Sequence, residues 1–277
     1  MVGRAQKAKA VLLRTLHDHG TLVLPNAWDA GSAVLIARAG ATAIATTSGG
    51  VAWSAGLPDG QHMAGAEMIE QVRHIAAAVG IPVTADIEAG YGDRPEDVGK
   101  TIAEVVAAGA GGVNVEDSRA RGGPLFDVAT QAARVRAGRS AAALAGLSEL
   151  LINVRTDVFL FSVGAAEHRL RDVLARSSAY AEAGADCLFV PGLTDLGTVT
   201  FLVKESPLPI NVMAGPGTPT VAELASAGVR RVSVGTAISQ AAYSIAYRAA
   251  AELLTEGTYT ELEGALDFAT INRMFIR

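Results

Sequence analysis

Residues 86–92 read Asp-Ile-Glu-Ala-Gly-Tyr-Gly, and residues 112–117 read Gly-Val-Asn-Val-Glu-Asp. Each stretch is the end of a short, β-branched run that closes on carboxylates. Parallel strands are buried along their length, so they appear in a sequence as nearly continuous apolar runs. Acids at the end of such a run lie where the sheet opens to a loop, which is where α/β folds bind ligands. The two stretches therefore predict neighbouring parallel strands that present Asp86, Glu88 and Glu116 at one edge.

Runs of the same kind recur eight times along the chain, and Ala-rich segments with helical periodicity separate them. Several of these segments end on a Gly followed by a small residue, as in Arg38-Ala39-Gly40-Ala41, which is typical of a helix C-terminus before a strand. The predicted strands span residues 22–25, 43–47, 82–86, 112–116, 151–156, 187–190, 210–213 and 231–234. The predicted helices span residues 29–38, 64–78, 95–108, 127–145, 166–183, 195–204, 219–226 and 236–254.

Eight strand–helix units without a break in composition predict an α/β fold of one domain, a (β/α)₈ TIM barrel, which typically needs about 250 residues. Within residues 1–277, an extra N-terminal helix is expected over 1–20, the barrel over 21–254 and a C-terminal helical tail over 255–277. The tail is apolar, so it is expected to dock either on its own barrel or on a partner subunit. A doubly wound open sheet is the alternative fold, although no Gly-rich phosphate-binding motif follows an early strand.

Composition excludes several classes of protein. The chain has 277 residues and a formal net charge of −5, and its Lys and Arg form no basic stripe, so nucleic acid is not an expected partner. No apolar stretch has the length of a membrane span, and the N-terminus lacks the apolar core of a secretory signal. The single cysteine, Cys187, leaves no internal disulfide and is typical of a cytoplasmic protein.

The strand ends of a barrel share one mouth, so the acids found there are expected to meet. Asp86, Glu88 and Glu116 would repel one another unless a cation or arginines neutralised them. Ligand oxygens of this kind favour Mg²⁺, with Mn²⁺ as the alternative. Asp59, in the loop after the second strand, could reach the same point. The sequence therefore predicts a metal site.

Other strand ends suggest how an anion would bind. Ser48-Gly49-Gly50 reads as a turn of small residues whose N–H groups can approach an anion closely. Arg155 leaves an otherwise apolar strand, and a charge there must meet an acid, a substrate carboxylate or both. Asn211 belongs to a further strand that ends at the same mouth. A divalent cation, an anion-binding turn and an arginine together predict a site for a 2-oxo acid, a small-molecule carboxylate substrate.

At these residues the chain resembles the isocitrate lyase / phosphoenolpyruvate mutase superfamily. The most specific pieces are the motifs at residues 47–49, 86–92, 115–117, 154–157 and 211–217. The resemblance implies a (β/α)₈ barrel whose C-terminal helix is exchanged between neighbouring subunits, in a homotetramer built as a dimer of dimers. It also implies chemistry next to a pyruvate enolate, with cleavage or formation of a C–C or a C–P bond.

The resemblance further implies roles for the site residues. Mg²⁺ would be held directly by Asp86, and through water by Asp59, Glu88 and Glu116. The carboxylate of the substrate would meet Ser48 and Gly49, and the turn described above adds Gly50 to this contact. Arg155 would contact the substrate, with Asn211 beside it.

The loop at residues 117–127 departs from the pattern of the superfamily. In the lyases this loop carries Lys-Lys-Cys-Gly-His or a close variant, and its Cys is the general acid that protonates the enolate. Here it has neither Cys nor His, and Cys187 lies in an apolar run where a core position is expected.

Three hypotheses follow from that departure. The first is a decarboxylase or lyase that cleaves a C–C bond, with Arg155, Glu116 and Arg121 as catalytic residues. The second is C–P chemistry by a mutase or hydrolase, in which Arg119 and Arg121 bind a phosphonate or a second carboxylate. The third is a catalytically silent protein that retains the metal and carboxylate sites.

Overall fold

All eight predicted strand regions are present, and they pair in parallel around a nearly closed barrel with helices outside it. The structure is a computed structural model and describes residues 2–276. Its strands are β1 (Leu22–Leu24), β2 (Asn26–Ala27), β3 (Ile44–Thr46), β4 (Val83–Asp86), β5 (Gly112–Glu116), β6 (Leu151–Arg155), β7 (Cys187–Phe189), β8 (Ile210–Met213) and β9 (Arg231–Ser233). The sheet order is β1-β9-β8-β7-β6-β5-β4-β3-β2. The TIM-barrel prediction is confirmed.

The first predicted strand, residues 22–25, is divided into β1 and β2. Pro25 lies between the two pieces, and proline has no N–H group to donate to a strand ladder. β1 pairs with β9, whereas β2 pairs with β3. The divided strand therefore joins the last strand of the sheet to the second strand region and closes the barrel.

The helices follow the predicted segments closely. They are α1 (Arg4–Asp18), α2 (Ala30–Arg38), α3 (Ser48–Ser54), α4 (Gly65–Ala78), α5 (Pro95–Ala108), α6 (Val128–Leu144), α7 (Ala166–Glu182), α8 (Leu196–Glu205), α9 (Val221–Ser226), α10 (Ala237–Thr255) and α11 (Phe268–Met274). Aspartate side chains cap four of them: the carboxylates of Asp29, Asp127, Asp195 and Asp267 accept hydrogen bonds from backbone N–H groups three residues later. The short helix α3 replaces the turn predicted at Ser48-Gly49-Gly50, so that prediction was wrong.

Helix α1 closes the bottom of the barrel. Its Leu13 is fully buried in a cluster with Leu22, Leu24 and Leu151 from the strands. The apolar floor leaves the opposite end, formed by the C-terminal ends of the strands, as the open mouth.

The C-terminal part of the chain is the least buried. In α10 only Ser239 is buried, and Tyr247 and Leu254 are 77% and 84% exposed. Helix α11 lies beside α2, where Arg38 Nε donates to the carbonyl of Met274 (3.0 Å) and Arg38 Nη2 to that of Ile276 (2.6 Å). Exchange of this region between subunits stays a prediction. Within residues 2–276, no helix combines the length and the apolar character that crossing a membrane requires.

Candidate metal and carboxylate site

One cavity of about 240 Å³ opens at the mouth of the barrel and continues between the strands. Most of the residues that the sequence singled out meet there. Those that line it are Ser48, Asp59, Asp86, Glu88, Glu116, Arg121, Arg155 and Asn211. Gly49, Gly50 and Arg119 do not line it.

Asp86, the last residue of β4, is held on both carboxylate oxygens. Its Oδ2 accepts from the N–H of Ser48 (3.0 Å), and its Oδ1 accepts from Asn114 Nδ2 (3.1 Å) and the N–H of Glu88 (3.3 Å). Its own N–H donates to Thr46 Oγ1 (2.8 Å). The carboxylate is therefore held from the start of α3, from β5 and from the turn after β4, while β3 holds the backbone of Asp86.

Glu88 reaches the cavity because the chain after β4 turns sharply. Glu88 and Tyr91 both adopt left-handed backbone conformations, with φ of 49° and 55°, which is uncommon outside glycine. The Glu88 carboxylate accepts from the N–H of Gln61 (2.5 Å) and from the hydroxyl of Tyr91 (3.1 Å). Burial and the nearby carboxylates of Asp86 and Asp59 raise the pKa of Glu88 to about 7. The left-handed backbone at Glu88 and Tyr91 is strained, and strain of this kind is a feature of functional sites.

Glu116 and Arg155 form an ion pair at the ends of β5 and β6. Their strands pair in register at these two residues, and Arg155 Nη1 lies 2.9 Å from Glu116 Oε2. Arg155 Nε also donates to Asp157 Oδ1 (2.5 Å). Burial raises the pKa of Glu116 well above its usual range, although Arg155 opposes that shift. Arg155 was expected to meet an acid, and its guanidinium meets two, Glu116 and Asp157. Arg155 also lines the cavity.

The Ser48-Gly49-Gly50 segment begins α3 and packs tightly. A side chain at Gly49 would come within 2.9 Å of Thr236, and one at Gly50 within 2.8 Å of Thr47 and Trp28. Glycine is therefore required at both positions by close approach. Ser48 faces the cavity, while the two glycines allow α3 to lie against the barrel.

The loop of residues 117–127 forms a small hairpin over one side of the mouth. Ser118 and Leu125 make an isolated antiparallel bridge, and the N–H of Phe126 donates to the carbonyl of Asp117 (2.7 Å). At its base, the Asp117 carboxylate is fully buried and accepts from Arg176 Nη1 (2.9 Å) and the Tyr180 hydroxyl (3.0 Å). The hairpin is thus anchored to α7 at its base.

The two arginines of this hairpin point to different places. Arg121 forms an ion pair with Asp59 across the cavity. Arg119 instead donates from Nη1 to Asp93 Oδ2 (3.2 Å) and lies 4.4 Å from the ring centre of Phe126. Of these two arginines only Arg121 lines the cavity, and the substrate contact of Arg119 stays a prediction.

The donor set fits a hard divalent cation that keeps water ligands. Asp59, Asp86, Glu88 and Glu116 offer only carboxylate oxygens, and burial and mutual repulsion raise the pKa values of both glutamates. A cation would relieve that repulsion. Within residues 2–276, no three His, Cys, Asp or Glu side chains are arranged to hold one ion directly. Mg²⁺ often binds through one or two carboxylates and keeps several waters, so it does not need three ligands from the protein.

Sequence reasoning missed the apolar and polar walls of the cavity. Trp53, Phe161 and Phe189 supply apolar surface, and further lining residues are Thr84, Asn114, Asn153 and Arg231. The sequence did indicate three of the polar residues, because Asn114 and Asn153 interrupt apolar strands and Arg231 begins one. It did not indicate the apolar ones, since they resemble ordinary core residues.

The profile of the phosphoenolpyruvate phosphomutase family matches residues 13–254, a range that contains every site residue described above. The chain belongs to the phosphoenolpyruvate phosphomutase family. Its predicted place in the isocitrate lyase / phosphoenolpyruvate mutase superfamily is thereby confirmed. Among relatives, an uncharacterized protein of Mycobacterium tuberculosis H37Rv is 35% identical over 258 residues, which cover 91% of this chain and 94% of the relative.

Two further members of the superfamily are similar over most of their length. The 2-methylisocitrate lyase of Escherichia coli K12 is 30% identical over 236 residues, covering 82% of this chain and 76% of the lyase. A crystal structure from Burkholderia cenocepacia J2315, provisionally described as a phosphonomutase, is 46% identical with a TM-score of 0.82; the match covers 91% of this chain and all of that one. The superfamily therefore includes both lyase and mutase relatives of this chain.

Proposed function

We propose that the protein is a Mg²⁺-dependent carbon–carbon lyase, of the decarboxylase or lyase type, that acts on a small 2-oxo or 2-hydroxy carboxylic acid through a pyruvate-type enolate. The observation that supports this most is that Asp86, Glu88, Glu116 and Arg155 line one small cavity. Carboxylates suited to a divalent cation lie there beside a guanidinium suited to a carboxylate. A 2-oxo acid carries a keto oxygen that could bind the cation and, on the adjacent carbon, a carboxylate that could bind the guanidinium.

The acids would hold the metal ion. Asp86 would contact it, while Asp59, Glu88 and Glu116 would bind its water ligands; Mn²⁺ could replace Mg²⁺. When bound, the ion would supply positive charge beside the keto oxygen, where negative charge develops as the bond to C3 breaks.

The basic residues and the start of α3 would hold the substrate. Arg155 is fixed by Glu116 and Asp157, so it needs little reorganisation to bind an oxygen of the substrate. Ser48 lies on the cavity wall in the first turn of α3, where N–H groups have no partners within the helix. Its own N–H donates to Asp86 (3.0 Å), so its hydroxyl and the N–H groups of Gly49 and Gly50 would meet the substrate carboxylate. Arg121, at the mouth, would meet a second carboxylate.

The hairpin lacks the cysteine that serves the lyases as general acid, and this favours decarboxylation within this class. The hairpin has no Cys or His, and the single cysteine, Cys187, is fully buried, with its pKa raised to about 12 by burial. A decarboxylase needs no acid there because solvent can protonate the enolate. In a lyase, either a water or Ser118 would have to protonate the enolate. The Ser118 hydroxyl donates to Asp157 (2.5 Å).

C–P chemistry is a second candidate. The 46% identity to the Burkholderia cenocepacia protein favours it, as does Arg121, a cation at the mouth that could bind a phosphonate. A silent protein that binds metal and carboxylate without turnover is the remaining outcome.

A panel of substrates separates these proposals. The purified protein would be incubated with Mg²⁺ and oxaloacetate, 2-methylisocitrate, 2,3-dimethylmalate or phosphonopyruvate, and the products followed by ¹H and ³¹P NMR, with Asp86→Asn as the control for non-enzymatic reaction. We expect a 2-oxo acid product from one of the three carboxylic acids and its loss on chelation of the metal. Turnover of phosphonopyruvate alone would favour the C–P candidate, and no turnover of any compound would overturn both enzymatic proposals.

A further inference from the structure

We infer that Asn114 and Asn153 are positioning residues that hold the Asp86 carboxylate toward the cavity through a chain of side-chain hydrogen bonds inside the barrel. The inference rests on the metal-binding role proposed for Asp86. Asn114 and Asn153 lie below the mouth and would support Asp86 in that role.

The register of the sheet places the three side chains in one row. Asp86 on β4 is the Cα partner of Asn114 on β5, and Asn114 is the partner of Asn153 on β6. Partners on adjacent strands point to the same face of a sheet, and all three residues line the cavity. The row is therefore a consequence of strand pairing and needs no loop to form it.

Hydrogen bonds connect the row in one direction. Asn153 Nδ2 donates to Asn114 Oδ1 (2.9 Å), and Asn114 Nδ2 donates to Asp86 Oδ1 (3.1 Å). Because the oxygen of Asn114 already accepts from Asn153, its NH₂ group is the end that faces the carboxylate. Asn153 thus determines the orientation of Asn114, and Asn114 restrains the carboxylate of Asp86.

Packing alone does not account for these amides. Asn114 and Asn153 are 7% and 1% exposed, and barrel interiors are normally filled with branched apolar side chains. A buried amide is costly unless it is hydrogen-bonded, and Asn153 Oδ1 has no partner among residues 2–276. The next position in the row, opposite Asn153, is Cys187, where the polar row ends. Hydrogen bonds are therefore complete at the Asp86 end of the row, whereas at the other end Asn153 Oδ1 lacks one.

Removal of either amide should therefore loosen the Asp86 carboxylate. The Asn114→Leu variant removes the hydrogen bond to Asp86, and the Asn153→Leu variant removes only the bond that orients Asn114. Thr84→Val is the matched control, since Thr84 lines the same cavity and its buried hydroxyl has no hydrogen-bond partner among the described residues. Each variant replaces a buried polar side chain with an apolar one of similar size.

Mn²⁺ binding to the substrate-free protein gives a readout that does not depend on activity. Free Mn²⁺ would be measured by electron paramagnetic resonance during titration, with the thermal midpoint of each variant recorded in parallel. Loss of a residue that orients a metal ligand typically weakens binding by ~10–100-fold, which we expect for Asn114→Leu, with a smaller loss for Asn153→Leu and none for Thr84→Val.

Each outcome bears on the inference. Wild-type affinity in both Leu variants would overturn it, and wild-type affinity in Asn153→Leu alone would remove Asn153 from the chain. If Thr84→Val lost as much Mn²⁺ affinity as the Leu variants, with equally lowered thermal midpoints, the cause would be general destabilisation. That result would also overturn the inference. Failure of the wild-type protein to bind Mn²⁺ would instead overturn the metal site itself, so the two failures are distinguishable.

Discussion

Arg121 and Asp59 form an ion pair across the mouth of the barrel, which joins the hairpin after β5 to the loop after α3. The pair contains one residue expected to bind substrate and one expected to bind the water shell of a metal ion. Arg121 is well exposed, so the pair itself contributes little to stability. It places a guanidinium on the wall of the cavity that Asp86, Glu88 and Glu116 also line.

The role of Arg121 can be separated from the general charge of the hairpin. We expect Arg121→Gln to raise KM by about 10-fold or more, the effect of losing a charge-assisted hydrogen bond to the substrate, with a smaller effect on kcat. Arg119→Gln is the matched control, because Arg119 pairs with Asp93 outside the cavity. Steady-state kinetics on the substrate found in the panel measure both, and equal effects of the two substitutions would argue against a specific contact.

Asp86 should be indispensable for metal binding. The Asp86→Asn variant keeps the shape of the side chain but removes the charge, and we expect its Mn²⁺ binding to fall below detection by isothermal titration calorimetry. Asp195→Asn serves as the control, since Asp195 only caps α8 and asparagine caps a helix equally well. Retained Mn²⁺ binding in Asp86→Asn would contradict the assignment.

Arg155 should matter for stability as well as for activity. Its guanidinium compensates two buried carboxylates, those of Glu116 and Asp157. Breaking a buried ion pair by removal of one partner typically costs about 3–5 kcal/mol, so Arg155→Met should lower the free energy of unfolding by that order. Urea denaturation would measure it, with Arg73→Met, which removes an exposed pair with Glu70, as the control. A loss below about 1 kcal/mol, the range of surface pairs, would contradict this interpretation.

His17 should make the protein less stable in mild acid. Both imidazole nitrogens are buried without a hydrogen-bond partner among residues 2–276, and burial, with Arg231 and Arg14 nearby, lowers the pKa of His17 to about 3. Between about pH 6.5 and pH 3 the unfolded chain therefore binds a proton that the folded chain does not, so stability falls as the pH is lowered through that window.

Replacing His17 removes this contribution. Between pH 7 and pH 5 the free energy of unfolding of His17→Leu should fall by about 1–2 kcal/mol less than that of the wild-type protein. The exposed His74 gives the control variant His74→Leu, which should follow the wild-type protein. Parallel pH profiles for wild type and His17→Leu would contradict the prediction.

The superfamily resemblance implies a homotetramer, and the exposed face of α10 leads us to propose that assembly for this protein. Tyr247 and Leu254 stand largely in solvent on a helix that packs little against its own barrel, and contiguous apolar surface of this kind marks interfaces. Light scattering after size exclusion should give about four times the 28.4 kDa subunit mass. Tyr247→Glu with Leu254→Glu should shift it to smaller species, and a wild-type monomer would contradict the proposal.

Much of the barrel could be predicted because its local signals agree with one another. Apolar strand runs, Ala-rich helical segments and Gly at helix ends all indicate the same units, and the acids mark the strand ends. Helix α3 was missed because two glycines at its start have low helix propensity, and only close packing against Trp28 and Thr236 accounts for them. The division of the first strand at Pro25 follows from proline chemistry, but its effect on pairing becomes visible only once the barrel closes.

The site was harder to predict than the fold for a geometric reason. Arg119 and Arg121 are two residues apart on one hairpin, yet one faces Asp93 outside the cavity and the other faces Asp59 across it. Only the hairpin conformation distinguishes them. Asn114 and Asn153 likewise become related through strand register, which the sequence does not state.

Asp86 would hold a cation whose charge stabilises a pyruvate-type enolate in the cavity, and deuterium exchange tests this without knowledge of the natural substrate. Pyruvate would be incubated in D₂O with the protein and Mg²⁺, and the methyl signal followed by ¹H NMR. We predict exchange above the buffer rate that disappears on chelation of Mg²⁺ and in Asp86→Asn. Exchange no faster than in buffer, or exchange unchanged in Asp86→Asn, would contradict the account.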